Sequence, residues 1–363
     1  GGSGELLINY ISFEDENNLN ILRKAAEVIA NNKKRMGKKL WTDSGDGDPV
    51  ITYTGFTEKD EAQFVADQVE RRYKETGHYS DCAVLYRTNA QSRAIEDAFM
   101  KNAIPYKVLA GLRFYDRKEV KDFIAYLRVV YNHSDDLSLR RIINEPKRKI
   151  GAATLEKVQI HADEEGVSNF EIISEVNKYP DLKSAASRLT DFVKLIKDLR
   201  EKAKTLSIDE LASAVIKDSG YMAALESENT VEAQTRIENI NEFLSVVKDY
   251  AVNPEYDGTL GGFLESVTLV SDIDDYDQEQ DSVVLMTIHS AKGLEFPVVF
   301  VTGLEEGIFP GMRSIGSDED IEEERRLCYV AMTRAREKLY VTKTMSRMRF
   351  GRRELSVESR FFQ

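Results

Sequence analysis

The sequence predicts an α/β fold: a parallel sheet covered by helices on both faces, interrupted by an inserted all-helical domain. Three observations predict it. Short apolar runs alternate with amphipathic stretches early in the chain, strand-like signals vanish through its middle, and they return before its end.

The elements follow in order. PVITYTGF (Pro49 to Phe56) is β-rich and leads into a polar-faced helix from Glu58 to Thr76. AVLYRT (Ala83 to Thr88) is a short apolar run suited to a buried strand, and a helix from Gln91 to Asn102 separates it from PYKVLAG (Pro105 to Gly111). From about Tyr126 apolar residues recur every three or four positions, through Leu182, Leu189, Phe192, Leu195, Ile196 and Leu199, then Ile237, Ile240, Phe243, Leu244 and Val247. An acidic connector, Asp272 to Asp281, closes this segment. Strand signals resume with SVVLMTIH (Ser282 to His289), PVVFVTGL (Pro297 to Leu304) and KLYVTKT (Lys338 to Thr344). The expected division is residues 1–126, 127–280 and 281–363, the first and last parts forming one domain.

A chain of 363 residues exceeds one ordinary core, and 42% hydrophobic with 31% charged residues describes a soluble, globular protein. No apolar run approaches the roughly 20 residues that span a bilayer, and no secretory signal precedes the linker-like Gly1-Gly2-Ser3-Gly4. Cys82 and Cys328 lie far apart, which excludes a cysteine-cluster zinc module and fits a reducing cytoplasm. His78, His133, His161 and His289 are too scattered for metal-ligand spacing, so no metal site is expected. A net charge of −13 argues against a nucleic-acid partner on average, yet phosphate neutralisation needs only a local basic track.

Two segments carry candidate chemistry. In TIHSAKGLEFPVVFVTGLEEGIFP (Thr287 to Pro310) a strand ends at Thr287-Ile288-His289, and ligands of open α/β sheets bind at that carboxyl edge. Lys292-Gly293 adds a cation on a tight turn, and Glu295 is expected beside the same edge. On spacing alone, a strand–loop–strand with surface charges is the preferred reading. In EERRLCYVAMTRAREKLYVT (Glu323 to Thr342) an acidic-started helix carries Arg334 and Arg336 near its end. An arginine before a sheet edge can aim its fork at a phosphoryl group, or simply satisfy helix carbonyls, and alone the second reading wins.

Together these segments resemble motifs V and VI of the superfamily 1A DNA helicases of the UvrD/PcrA/Rep type. LYRTNAQSR (Leu85 to Arg93), PYKVLAGLRFYDRKEVKDFIAYLRVV (Pro105 to Val130) and NEPKRKIGAATLEKV (Asn144 to Val158) extend the likeness over nearly everything after Asn20. The resemblance implies the carboxyl-terminal half of such an enzyme: a RecA-like domain 2A, P-loop NTPase-like but without the P-loop, interrupted by domain 2B. It implies 3′-to-5′ translocation on single-stranded DNA and opening of the single-strand/duplex junction, driven by ATP with Mg2+. Arg334 would be the arginine finger, and Glu295 with Gly293 would meet the nucleotide. Thr287, His289 and Lys292 would lie toward single-stranded DNA. Lys147, Arg148, Ile150 and Gly151 would form the loop that meets duplex through amides and cations. The implied partners are DNA, the amino-terminal motor domain of the same helicase, and repair or transcription proteins, in the cytoplasm and with no membrane.

Two positions depart from that pattern. Lys149 stands where the family has the first glycine of Gly-Ile-Gly, and Asn9-Tyr10-Ile11-Ser12 has isoleucine where the family has a phosphate-contacting arginine. No GxxxxGK[ST] phosphate loop occurs, so the chain alone is expected not to hydrolyse ATP. Both ends look trimmed. Two alternatives stand: a non-catalytic DNA or protein interaction module, and the motor half of a RecB/AddA-like helicase-nuclease. Phe114 and Tyr115 could stack on bases, and Trp41 beside Lys38 and Lys39 could lie near DNA, though packing is the preferred reading for all three rings.

Overall fold

The computed structural model describes residues 19–31, 48–271 and 279–362. Trp41, Lys38, Lys39, most of the acidic connector and the Asn9–Ser12 segment lie outside the described residues. The chain divides into two compact units. One comprises residues 1–114, 275–348 and 353–363, and the other residues 115–274 and 349–352.

The first unit is built on six strands: β1 (Ile51–Gly55), β2 (Cys82–Tyr86), β3 (Tyr106–Val108), β4 (Val283–Thr287), β5 (Phe296–Val301) and β6 (Ala335–Thr344). They lie in the order β1-β6-β5-β2-β4-β3, and every neighbouring pair is parallel. Side chains alternate across the sheet, so both faces must be covered. Ala83, Leu85, Met286, Val299 and Val341 pack beneath α1 (Leu19–Ile29) and a late helix, Asp318–Met332. Cys82, Val84, Tyr86, Leu285 and Phe300 pack beneath α2 (Glu58–Thr76) and α3 (Ser92–Lys101). Burial on both sides explains why these strands read as continuous apolar runs. The α2 boundaries are equally local: Thr57 and Asp60 close a capping box, and Gly77 at φ 76° caps the far end by donating to the Tyr73 carbonyl.

Apart from residues 349–352, the tip of a short two-stranded ribbon (Ser346–Arg349 with Arg352–Leu355), the second unit is helical: α4 (Lys118–Tyr131), α5 (Asp136–Ile142), α6 (Ala152–Glu165), α7 (Asn169–Ser174), α8 (Ala186–Lys202), α9 (Ile208–Asp218), α10 (Tyr221–Glu228), α11 (Val231–Val252) and α12 (Leu260–Ser271). The late helix of the first unit is α13 (Asp318–Met332). The recurrent apolar residues Leu189, Phe192, Ile196, Leu199, Ile240, Phe243 and Val247 are all buried. Asp122, 1% exposed, holds this core by accepting from Lys118, Arg141 and Tyr221. Phe114 and Tyr115 are buried in their respective units and present no open ring for stacking.

Candidate nucleotide and nucleic-acid sites

Strand direction sorts the candidate residues. All six strands point the same way, so chain leaving the carboxyl end of β4 must return to the amino end of β5 before that strand begins. Thr287 is the last residue of β4 and Glu295 immediately precedes β5. Thr287 is level with Tyr86 of β2 and Val298 with Cys82, so at ~3.3 Å per residue Thr287 and Glu295 lie roughly 23 Å apart along the strands. Glu295 is therefore not beside Thr287 and His289, as the sequence suggested; it sits at the opposite, amino edge. Residues 288–295 form the strap between the two edges, with Ile288 and Ala291 fully buried under it.

At the amino edge, α13 ends at Met332 and β6 starts at Ala335, so Arg334 belongs to a two-residue link and Arg336 to the strand. The Arg334 carbonyl accepts from the Phe296 amide at 2.9 Å, which registers the link against β5. Its side chain is 7% exposed. Nε donates to the Val330 carbonyl (3.0 Å), Nη1 to the Leu294 carbonyl (3.2 Å) and Nη2 to the Thr333 hydroxyl (3.2 Å). All three acceptors are neutral, and among the described residues Arg334 forms no ion pair. Burial pulls its pKa below the arginine norm, against the pull of nearby Glu295. Of five guanidinium N–H groups, two remain unbonded. Exposed Glu295 lies in reach of the same field.

The Leu294 carbonyl is placed by a tight turn. Lys292 has φ −56° and ψ 126°, Gly293 has φ 82°, and the Leu294 amide donates to the Ala291 carbonyl at 3.0 Å. These are type II turn angles, which require a left-handed residue at the third position. Gly293 serves that backbone, and Lys292 stands exposed without an ion pair.

At the carboxyl edge, the Thr287 hydroxyl meets that of Ser290 at 3.2 Å. Exposed His289 has its pKa held below the ordinary value by partial desolvation and then by Arg87, with Glu323 and Glu324 opposing. Arg87 follows β2 directly. Its Nε donates to buried Glu324 (2.7 Å), whose oxygens also accept the Gly311 amide (3.2 and 2.9 Å), and its two Nη groups make no other bond. The sequence reading gave Arg87 no role, although a cation just after a buried strand was a usable signal.

In the helical unit, residues 147–151 lead into α6. Lys147 and Lys149 are exposed, and no carboxylate among the described residues pairs with them. Gly151 caps α6 without a side chain, no acidic residue occupies the first turn, and the first bonded amide is Leu155 on the Gly151 carbonyl. The amides before it face outward at the positive end of the helix. Two expectations are corrected. Arg148 turns inward: its Nη groups donate to the carbonyls of Ile142, Ile143, Glu145 and Ser219 and to the Tyr126 hydroxyl, while its plane faces Phe192 at 5.3 Å. The carbonyls at the end of α5 need donors, and arginine's fork reaches several at once. The Ile150 amide donates to Asn144 Oδ1 at 3.3 Å, and its side chain is buried, so Ile150 anchors the loop. Arg188 of α8 donates to the Lys149 carbonyl at 3.0 Å and adds a third cation there. That tertiary contact left no sequence signal.

The profile of the UvrD-like helicase C-terminal domain matches residues 6–346. A protein of Staphylococcus epidermidis named ATP-dependent DNA helicase PcrA is 44% identical over all of this chain and 52% of its own length. Its Staphylococcus aureus counterpart is 47% identical over 94% of this chain and 47% of its own length. The chain spans about half the length of the curated relatives it matches. With an all-parallel sheet interrupted by a helical unit, and a match over most of its residues, the chain belongs to the UvrD-like helicase C-terminal domain family.

Proposed function

We propose that this chain is the carboxyl-terminal motor half of an ATP-dependent 3′-to-5′ DNA helicase, supplying one wall of the nucleotide cleft and part of the DNA track. The observation that carries the reading is Arg334. An almost buried guanidinium bonded, among the described residues, only to neutral oxygens, with Glu295 acting on it without forming an ion pair, is costly unless an anion joins it. Arg347 is the contrast: similarly buried, it is bonded to both Glu61 and Glu305. The two free N–H groups of Arg334 suit the oxygens of a γ-phosphate, and Glu295 suits a ribose hydroxyl. ATP-bound Mg2+ would neutralise developing phosphoryl charge; in this proposal it is held by the amino-terminal motor half, beside the phosphate loop.

Thr287 and His289 at the opposite edge, joined by Arg87 and by Lys292 farther along the strap, are assigned to the single-stranded track. Contacts of this kind grip backbone without reading sequence. Lys147, Lys149 and the first amides of α6 are assigned to duplex phosphates at the junction, with Gly151 opening the approach. Arg148 and Ile150 shape that loop from within. Repair or transcription proteins, met in the cytoplasm, complete the proposed partners. Among the described residues no helix is long and apolar enough to cross a membrane.

The test is a chimera carrying the amino-terminal half of the Staphylococcus aureus relative ahead of this chain. It is expected to hydrolyse ATP in response to single-stranded DNA, to lose about a thousandfold or more with Arg334→Ala, and to unwind 3′-tailed duplex. Wild-type and Arg334→Ala chimeras of equal activity would overturn the reading.

A further inference from the structure

We infer that Thr333, together with the Leu294 carbonyl, is a positioning element that aims Arg334; this rests on the proposed role of Arg334 in the nucleotide cleft. The geometry is a closed set of bonds. Thr333, 1% exposed, donates its hydroxyl proton to the Val330 carbonyl at 3.0 Å, and that carbonyl also accepts Arg334 Nε at 3.0 Å. With its proton committed, the Thr333 oxygen can only accept, and it accepts from Arg334 Nη2 at 3.2 Å. The Leu294 carbonyl takes Nη1 from the other side at 3.2 Å. Three points on a planar group fix both its plane and its direction. Arginine otherwise carries substantial rotamer freedom, so a fork held in advance loses less on meeting phosphate.

The third point comes from the strap. The turn at Lys292-Gly293 fixes Leu294, so the segment containing Thr287 and His289 also supplies the acceptor that orients the finger. Gly293 contributes to this aim through its backbone angle of 82°. A Cβ there would meet nothing within 4 Å, so Gly293→Ala strains the turn without a clash.

The test uses the chimera with Thr333→Val, which keeps the shape and removes the acceptor, and Thr333→Ser, which restores it. Thr333→Val is expected to lower kcat about ten- to a hundredfold with little change in KM, and Thr333→Ser to recover most of it. In an Arg334→Ala background, Thr333→Val should cost nothing further, because its effect passes through the arginine. A merely structural threonine would add its loss in both backgrounds. In parallel, the Arg334 Nε–H signal of the chain alone, identified by its loss in Arg334→Lys, should exchange faster with solvent in Thr333→Val and normally in Thr333→Ser. Unchanged kcat and unchanged exchange in Thr333→Val overturn the inference. A wild-type chimera that hydrolyses no ATP defeats the functional reading instead, while the exchange measurement still decides whether Thr333 holds Arg334.

Discussion

Replacing Arg334 and Arg347 separately by methionine removes two guanidinium groups of comparable burial from the same unit, yet opposite consequences are expected. Arg347 donates through Nη2 to Glu61 at 2.8 Å and to Glu305 at 2.7 Å, and through Nε to Glu305 at 3.1 Å. Those carboxylate side chains are 4% and 3% exposed. Removing the cation strands two buried anions, a loss of about 3–5 kcal/mol. Arg334 gives up three bonds to neutral oxygens, each worth about 0.5–1.5 kcal/mol net. Against that, its own desolvation, several kcal/mol for an unpaired ion, is relieved. The two nearly cancel, so Arg334→Met should leave stability within about 1 kcal/mol of wild type while abolishing ATP hydrolysis in the chimera. Urea unfolding followed by circular dichroism, with hydrogen exchange of the β5 and β6 amides isolating the sheet unit, measures both. The Arg347 deficit should also depend on pH. Burial raises the Glu305 pKa but Arg347 outweighs it, so the folded value lies below the ordinary one. Its stabilisation is therefore present above the unfolded glutamate value and lost as pH falls through the lower folded value. Without Arg347 burial is opposed only by the hydrogen bonds from Thr344 and Ser356, so the Glu305 pKa rises relative to wild type and the variant's deficit should shrink as pH falls from 7 toward about 5. Equal losses for the two variants would refute the claim that Arg334 is uncompensated.

Three further outcomes are expected. Arg148→Met should destabilise the helical unit by about 2–4 kcal/mol, because the carbonyls closing α5 lose their shared donor; a loss under about 1 kcal/mol with weakened duplex binding would return Arg148 to the DNA surface. Lys149 sits at φ 59°, so Lys149→Gly should stabilise that unit by about 1 kcal/mol and flatten the salt dependence of duplex binding by about one ion, read from thermal melts and titrations at several salt concentrations. His133 and His289 both have depressed pKa values, so their contribution is present above 6.5 and lost as pH falls toward the folded values; melting temperatures from pH 7.5 to 5.5 should decline less in the His133→Gln, His289→Gln double variant.

What could be read from the sequence was what local chemistry decides. The helix Glu58–Thr76 has the predicted limits because Thr57, Asp60 and Gly77 terminate it within the chain itself. The central strands were visible because both of their faces are buried. The second candidate segment was less clear: the helix stops at Met332, and only pairing with β5 makes Ala335 and Arg336 strand. Glu295 was assigned to the wrong edge because a motif does not state which way its second strand runs. Arg148 was assigned to DNA because lysine and arginine side by side look like one basic patch. Nothing in Lys147-Arg148-Lys149 says that the middle residue finds its acceptors on α5 and at Ser219.

The same distinction bears on how a chain of net charge −13 would meet nucleic acid and nucleotide in the proposed role. Its average field repels phosphate, so attraction must come from cations that the fold leaves uncancelled. Many cations are cancelled: Arg72 by Asp81 and Glu337, Lys118 and Arg141 by Asp122, Arg347 by Glu61 and Glu305, Arg353 by Glu58, Arg360 by Glu306. Among the described residues Arg334, Lys292, Lys147 and Lys149 have no carboxylate in ion-pair contact, and each stands at a sheet edge, a tight turn or a helix start. Charge counted along the sequence cannot separate these groups, because both contain the same residue types. What separates them is the partner that folding brings within about 3 Å, or does not. The acidic surplus then favours specificity: nonspecific phosphate binding is suppressed over most of the surface, and an anion is accepted only where the protein has left a cation without its own.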